Sequence, residues 1–190
     1  MKFKIAMMVL ILTALTAVQA KAQSFEFGFE SGMNFSTLMG SGANSLSPTG
    51  TTSSRLGFVG GGFLSLNFSP AFAIKPELLY EQKGAQISGT TTDLESDYIE
   101  IPVLVKIGLG MPGLNPSIIA GPSFDWNTVT SLPSSAGTVN TSDVGLVGGL
   151  EFDFSKFNIN ARYELGLNNA TALKNVSNGT LTILMGYSFI

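Results

Sequence analysis

From residue 23 onward, apolar and polar side chains alternate with a period of two in segment after segment, and no stretch sustains the 3.6-residue period of a helix. Within 157–167, one face carries Phe157, Ile159, Ala161, Tyr163, Leu165 and Leu167, and the other carries Asn158, Asn160, Arg162, Glu164 and Gly166. Segment 72–85 sets Phe72, Ile74, Leu78 and Tyr80 against Lys75, Glu77, Glu81 and Lys83. The next sets Ile99, Ile101, Val103, Val105 and Ile107 against Glu100 and Lys106. Successive strand side chains point to opposite sides of a sheet, so this pattern predicts an all-β chain with one oily and one polar face.

Eight strands are predicted, at 24–38, 55–68, 72–85, 97–109, 117–129, 143–154, 157–167 and 179–190. The connections alternate in length. Those at 39–54, 86–96, 130–142 and 168–178 are long and rich in Ser, Thr, Asn and Gly, whereas those at 69–71, 110–116 and 155–156 are short. Long loops on one rim and tight turns on the other, with both termini at the tight-turn rim, is the layout of an eight-stranded antiparallel up-and-down transmembrane β-barrel. A soluble lipocalin-like periplasmic binder would alternate equally well, with its oily face inward. Composition decides between them. Only 12% of residues are charged, where a water-facing domain carries about 25%. Aromatic side chains (Phe25, Tyr80, Trp126, Phe154, Phe157, Tyr187 and Phe189) sit near apolar-face strand ends, as interface girdles do. The strands also reach the roughly 9 to 11 residues that a membrane crossing needs. With the oily face in lipid, the sheet has to close, because an open edge there leaves backbone groups without partners.

The first 22 residues read as an export signal. Lys2 and Lys4 precede an apolar run, and Ala20-Lys21-Ala22 fits the small-x-small rule for cleavage before Gln23. The expected division is thus a signal peptide at 1–22 and an outer-membrane barrel domain at 23–190, in a Gram-negative envelope. Without the lysines of that segment, seven bases face thirteen acids. That excess disfavours nucleic acid as a partner.

Parity then assigns the barrel interior. Glu26, Glu30, Glu77, Glu81, Glu100, Asp125, Glu151, Asp153 and Glu164 are expected to point inward with Lys75, Lys83, Lys106 and Arg162. Arg162 and Lys106 should each touch at least one of these acids, since a buried carboxylate without a partner is costly. A lumen of eight strands is just filled by its own side chains.

Candidate chemistry is sparse. The chain has no Cys and no His, which removes thiolate sites and the commonest catalytic base. Gly108-Leu109-Gly110-Met111-Pro112-Gly113 spells a dinucleotide fingerprint, but Pro112 and Pro116 lead into a strand and not into the helix that the motif requires. Glu151 and Asp153 share a face without room for a sugar between them. Asn34-Phe35-Ser36 and Asn140-Thr141-Ser142 match glycosylation sequons as chance allows in so Asn-, Ser- and Thr-rich a chain. Asp93, Glu95 and Asp97, on the second long loop, are weak candidates for a metal ion and read first as solvated loop charges. No cofactor is expected. Gly60-Gly61-Gly62 relieves crowding in a tightly curved barrel.

Glu77-Leu78-Leu79-Tyr80-Glu81-Gln82-Lys83-Gly84, Tyr98-Ile99-Glu100-Ile101-Pro102-Val103-Leu104-Val105-Lys106, Ala120-Gly121-Pro122 and Arg162-Tyr163-Glu164-Leu165-Gly166-Leu167 resemble, in order and spacing, the PorT-like outer-membrane β-barrel family of Bacteroidetes. The resemblance covers essentially all of the chain after residue 22 and implies an eight-stranded outer-membrane barrel. The family's name-giving member is linked to protein secretion, a role with no matching functional residues to carry over. One departure is Ile190 after Phe189, where such barrels end on an aromatic residue.

The functional expectation is a non-enzymatic barrel with a filled lumen and a structural or interaction role at its outer loops. The alternative is an accessory of transport or protein secretion, with a membrane enzyme behind it. Expected partners are outer-membrane lipid and lipopolysaccharide, the barrel assembly machinery during biogenesis, and an envelope protein or surface ligand at the loops.

Overall fold

The computed structural model describes residues 22–39, 52–87, 93–111, 115–131, 142–167 and 177–190. The segment assigned to the export signal, bar Ala22, lies outside the described residues, as do most of the first, third and fourth long loops and the middle of the second. Eight strands follow one another: β1 (Ser24–Met39), β2 (Thr52–Ser69), β3 (Phe72–Ile87), β4 (Asp93–Gly108), β5 (Pro116–Ser131), β6 (Ser142–Phe154), β7 (Phe157–Gly166) and β8 (Ser177–Ser188). Each pairs antiparallel with its neighbours in sequence, and β8 pairs with β1 to close the barrel.

The register fixes the barrel's shape. A path of paired residues from Phe25 runs through Leu66, Ile74, Val105, Ala120, Gly148, Tyr163 and Leu181, then returns to β1 at Phe35, ten residues further along. A stagger of this size tilts the strands by about 40° to the barrel axis and leaves a narrow interior. In so tight a curve some inward positions have no room for a side chain. A Cβ on Gly61 would collide with the Leu78 carbonyl oxygen, and one on Gly121 with that of Val103. Gly62 points outward, where a Cβ would make only an ordinary contact with the Gly28 carbonyl oxygen. Within the Gly60-Gly61-Gly62 run, then, Gly61 is the position the backbone demands.

Parity sorts the side chains as the alternation requires. Phe29, Met33, Leu78, Leu150, Leu165 and Ile183 stand exposed on the outer wall, while their neighbours Glu30, Asn34, Leu79, Glu151, Glu164 and Leu184 are buried within. This is an oily exterior around a polar interior, the reverse of a soluble globule. At the tight-turn end, aromatic rings stitch the seam between the first and last strands. Phe27 lies 5.6 Å from Phe189, and Phe29 lies 6.3 Å from Tyr187, measured between ring centroids.

Most strand ends shift by one to four residues from the sequence reading, and two of the shifts reshape the long-loop rim. Asp93 pairs with Gln86, Glu95 with Gly84 and Asp97 with Gln82, so the acidic segment expected on a loop belongs to β4. Acids are poor strand formers, yet pairing with β3 carries the ladder through them. The strands are also unequal: β5 runs five residues past Trp126, the last of its residues paired with β6, to Ser131. On that side the wall stands higher at the long-loop rim than β6 does.

Candidate functional site

The inward-facing charges form two tiers. The lower tier starts at the tight-turn mouth. There Lys106 Nζ lies 2.6 Å from both Asp153 Oδ2 and Glu151 Oε1. Glu151 passes the chain of charges on to Lys75, at 2.8 Å, and Lys75 also reaches Glu30 at 3.0 Å and Glu77 at 3.2 Å. Glu77 accepts a hydrogen bond from the Arg162 guanidinium. The links thus join β4, β6, β3, β1 and β7 through the middle of the barrel. Lys75 is almost wholly buried, and its ammonium also sits over the Phe63 ring, 4.5 Å from the centroid.

The upper tier lies toward the long-loop rim and is built around Lys83. Its ammonium is 3.0 Å from Glu81 and from Asp125, 3.8 Å from Glu100, and in direct contact with Glu164. Ser123 Oγ donates to the other Glu164 oxygen at 2.8 Å, and Asn34 Nδ2 donates to Glu81 at 2.8 Å. The Asn34 sequon is therefore turned into the lumen, out of reach of a surface modification. Asn140 lies outside the described residues.

Between the tiers sits a layer that parity did not reveal. Val59, Leu79 and Leu184 form one buried apolar cluster, and Leu104, Ile119 and Val147 form another. On β3, Leu79 separates Glu77 from Glu81; on β4, Leu104 lies between Lys106 and Glu100. Their place on the charged parity was the available signal, masked by the apolar residues flanking them on the lipid side. Asp143 is a further buried acid, adjacent to Asp125 in the ladder, and its parity with Glu151 and Asp153 marks it as inward.

Glu26 is half-buried near the mouth and accepts from Asn67 Nδ2 at 2.9 Å. Here the side-chain filling expected of the whole lumen gives way to a cavity of about 490 Å³, lined by Glu26, Asn67, Lys106, Ser117, Asp153, Asn158 and Ser188 among others. Short side chains (Ser117, Asn158, Ser188) occupy inward positions there and do not reach across. Glu151 and Asp153 both contact Lys106 and serve as its counter-charges.

Of the weak metal candidates, Asp97 accepts the Tyr80 hydroxyl at 2.7 Å on the outer wall. The side chains of Asp93 and Glu95 lie outside the described residues. The described carboxylates that do converge are Glu81, Glu100 and Glu164, with one oxygen of each within 4.8 Å of the others. In the fingerprint-like turn, Gly110 takes a left-handed φ of 68°, and β5 follows it; Pro112 and Gly113 lie outside the described residues.

A family model described as "Outer membrane protein beta-barrel domain" matches residues 21–172. Among solved structures, Neisserial surface protein A aligns with a TM-score of 0.55 at 15% identity, covering 88% of this chain and 100% of that one. OprG from Pseudomonas aeruginosa aligns with a TM-score of 0.51 at 15% identity, over 88% and 97% of the two chains. Ail, the attachment invasion locus protein of Yersinia pestis, gives 0.50 at 13% identity, over 88% and 100%. Identities this low speak to the fold alone. A search of curated proteins finds no match.

Proposed function

This chain belongs to the outer membrane protein beta-barrel domain family, and from that premise we propose that it is a non-conducting outer-membrane barrel with a structural or interaction role exercised at its long-loop rim. One observation carries the reading: Lys75 on β3 is held at once by Glu30 on β1 and Glu151 on β6, across the lumen. Such a strut occupies the path that a solute would take. With the interior committed to holding the wall together, the segments at the long-loop rim are left as the surface for recognition.

Within the family we place the chain in the PorT-like Bacteroidetes group, on the motifs around Glu77, Tyr98 and Arg162. Residues 1–22 act as a cleaved signal peptide, on the strength of the flanks of that apolar run. We assign no enzymatic role: the chain has no His or Cys, and with most of the described inward carboxylates engaged by Lys75, Lys83, Lys106 and Arg162, no group among the described residues of the lumen is poised as an activated nucleophile. Lipid and lipopolysaccharide meet the oily wall, the assembly machinery meets the chain during insertion, and an envelope protein or surface ligand meets the rim.

Photo-crosslinking in intact cells tests the interaction role. Crosslinkers placed in segments 40–51 and 132–141 are expected to capture lipopolysaccharide or an envelope protein, and one at Ser155 in the tight turn is not. Capture from Ser155 alone would instead favour an accessory of transport or secretion that works from the tight-turn side.

A further inference from the structure

We propose that the hollow at the tight-turn mouth is a binding site for a small organic ammonium cation, recognised by Glu26 and Asn158. It lies at the opposite end of the barrel from the long-loop rim and does not rest on the role proposed for that rim. Its volume of about 490 Å³ is that of a small-molecule pocket and more than a bare metal ion needs. Lys106 lines it and is tied through Glu151 to Lys75 across the lumen. A molecule entering from the mouth therefore stops at the strut.

Two observations set the chemistry. Asn158 is only 4% exposed and lines the hollow, and its Oδ1 accepts no hydrogen bond among the described residues. A Cβ on Gly186 would lie 2.7 Å from both terminal atoms of the Asn158 amide, so the amide rests against that glycine at the wall of the hollow. A buried acceptor without a donor is costly, and the space beside it admits one. The second observation is Glu26, whose carboxylate has only neutral partners among the described residues: Asn67 Nδ2 at 2.9 Å and Ser188 Oγ at 3.5 Å. Ser188 follows Gly186 by two positions on β8, so the two acceptors belong to one stretch of wall. The cations of the lining are already engaged. Lys106 sits between Glu151 and Asp153, and Lys156, exposed in its turn, donates to the Phe189 carbonyl. The wall thus matches a positively charged donor. A primary ammonium has three protons to donate and no acceptor. A neutral alcohol would bring no charge to Glu26, and an anion would meet the carboxylates of Glu26 and Asp153.

Calorimetric titration of the full barrel in detergent tests the site, with cadaverine as the probe and the diol of the same chain length as its uncharged counterpart. Saturable binding of cadaverine, weakened by salt, and no binding of the diol are expected from the wild-type barrel, a comparison that needs no variant to fold. Glu26→Gln keeps an acceptor for Asn67 and should weaken cadaverine binding by at least about tenfold. Asn158→Asp adds a negative charge beside the ligand and should tighten it, and Glu164→Gln in the upper tier should leave it unchanged. A blocked tripeptide with a central lysine, which carries the same ammonium on a bulkier chain, should bind more weakly than cadaverine. No saturable cadaverine binding, equal binding of the diol, wild-type affinity in Glu26→Gln, or a preference for the tripeptide, which would put the cation on a protein, would each overturn the proposal.

Discussion

Lys75 Nζ and Glu151 Oε2 meet at 2.8 Å, although their strands, β3 and β6, are not neighbours in the barrel. The contact is a strut across the lumen. Removing one member of a buried pair costs about 3 to 5 kcal/mol, because the other is left as an uncompensated charge. Lys75→Met should therefore lower the unfolding free energy by that order, leaving Glu30 and Glu77 with less compensation. In a double-mutant cycle, adding Glu151→Gln to Lys75→Met should cost less than Glu151→Gln does alone. Strictly additive unfolding energies in urea would show that the two do not act as a strut.

Arg162 offers a second comparison. It is buried and bound to Glu77 from the opposite wall, whereas Lys156 is exposed in the β6–β7 turn and contacts the Phe189 carbonyl at 3.2 Å. Arg162→Ala is expected to destabilise the barrel by several kcal/mol and Lys156→Ala by less than about 1 kcal/mol. Equal midpoints would reject the lumen network as a source of stability.

The three adjacent glycines of β2 should respond unequally. Gly61→Ala forces a methyl group into the Leu78 carbonyl and should abolish the heat-modifiable folded band on gels. Gly62→Ala meets only the Gly28 carbonyl oxygen, at an ordinary contact distance of 3.5 Å, and should leave that band intact. Loss of folding in both would trace the requirement to chain flexibility and not to close approach.

Much of this arrangement is legible in the sequence. Parity alone places Glu30, Lys75, Glu77, Glu151 and Arg162 on one face, because a two-residue period is a direct projection of strand geometry. Parity cannot report distance across the lumen, so the partnership of Lys75 with Glu151, 76 positions apart, had to come from the register. Leu79 and Leu184 were hidden for a different reason: in a strand with lipid on one side, an inward Leu looks like its outward neighbours. Asp93 and Glu95 misled because acids between polar residues resemble a loop. Their strand character comes from β3 continuing alongside them to Ile87.

The outer wall is open to a direct probe, helped by the absence of any native Cys. Spin labels at Leu150→Cys and Ile183→Cys, both on exposed outer positions, should collide readily with oxygen and rarely with a water-borne nickel chelate. A label at Thr182→Cys, buried inside, should collide with neither. High nickel accessibility at Leu150 would mean that this face meets water and that the barrel is not in a bilayer.

The closed lumen is the central claim, and planar-bilayer recording of the purified barrel tests it most directly. Side chains from β1, β3, β4, β6 and β7 meet along the axis, so the account predicts a baseline indistinguishable from protein-free lipid. Lys75→Ala, which removes the strut, should bring no more than brief, small openings. Stable and reproducible steps on the nanosiemens scale from the wild-type protein, of the kind expected of channels with about 16 strands, would contradict it.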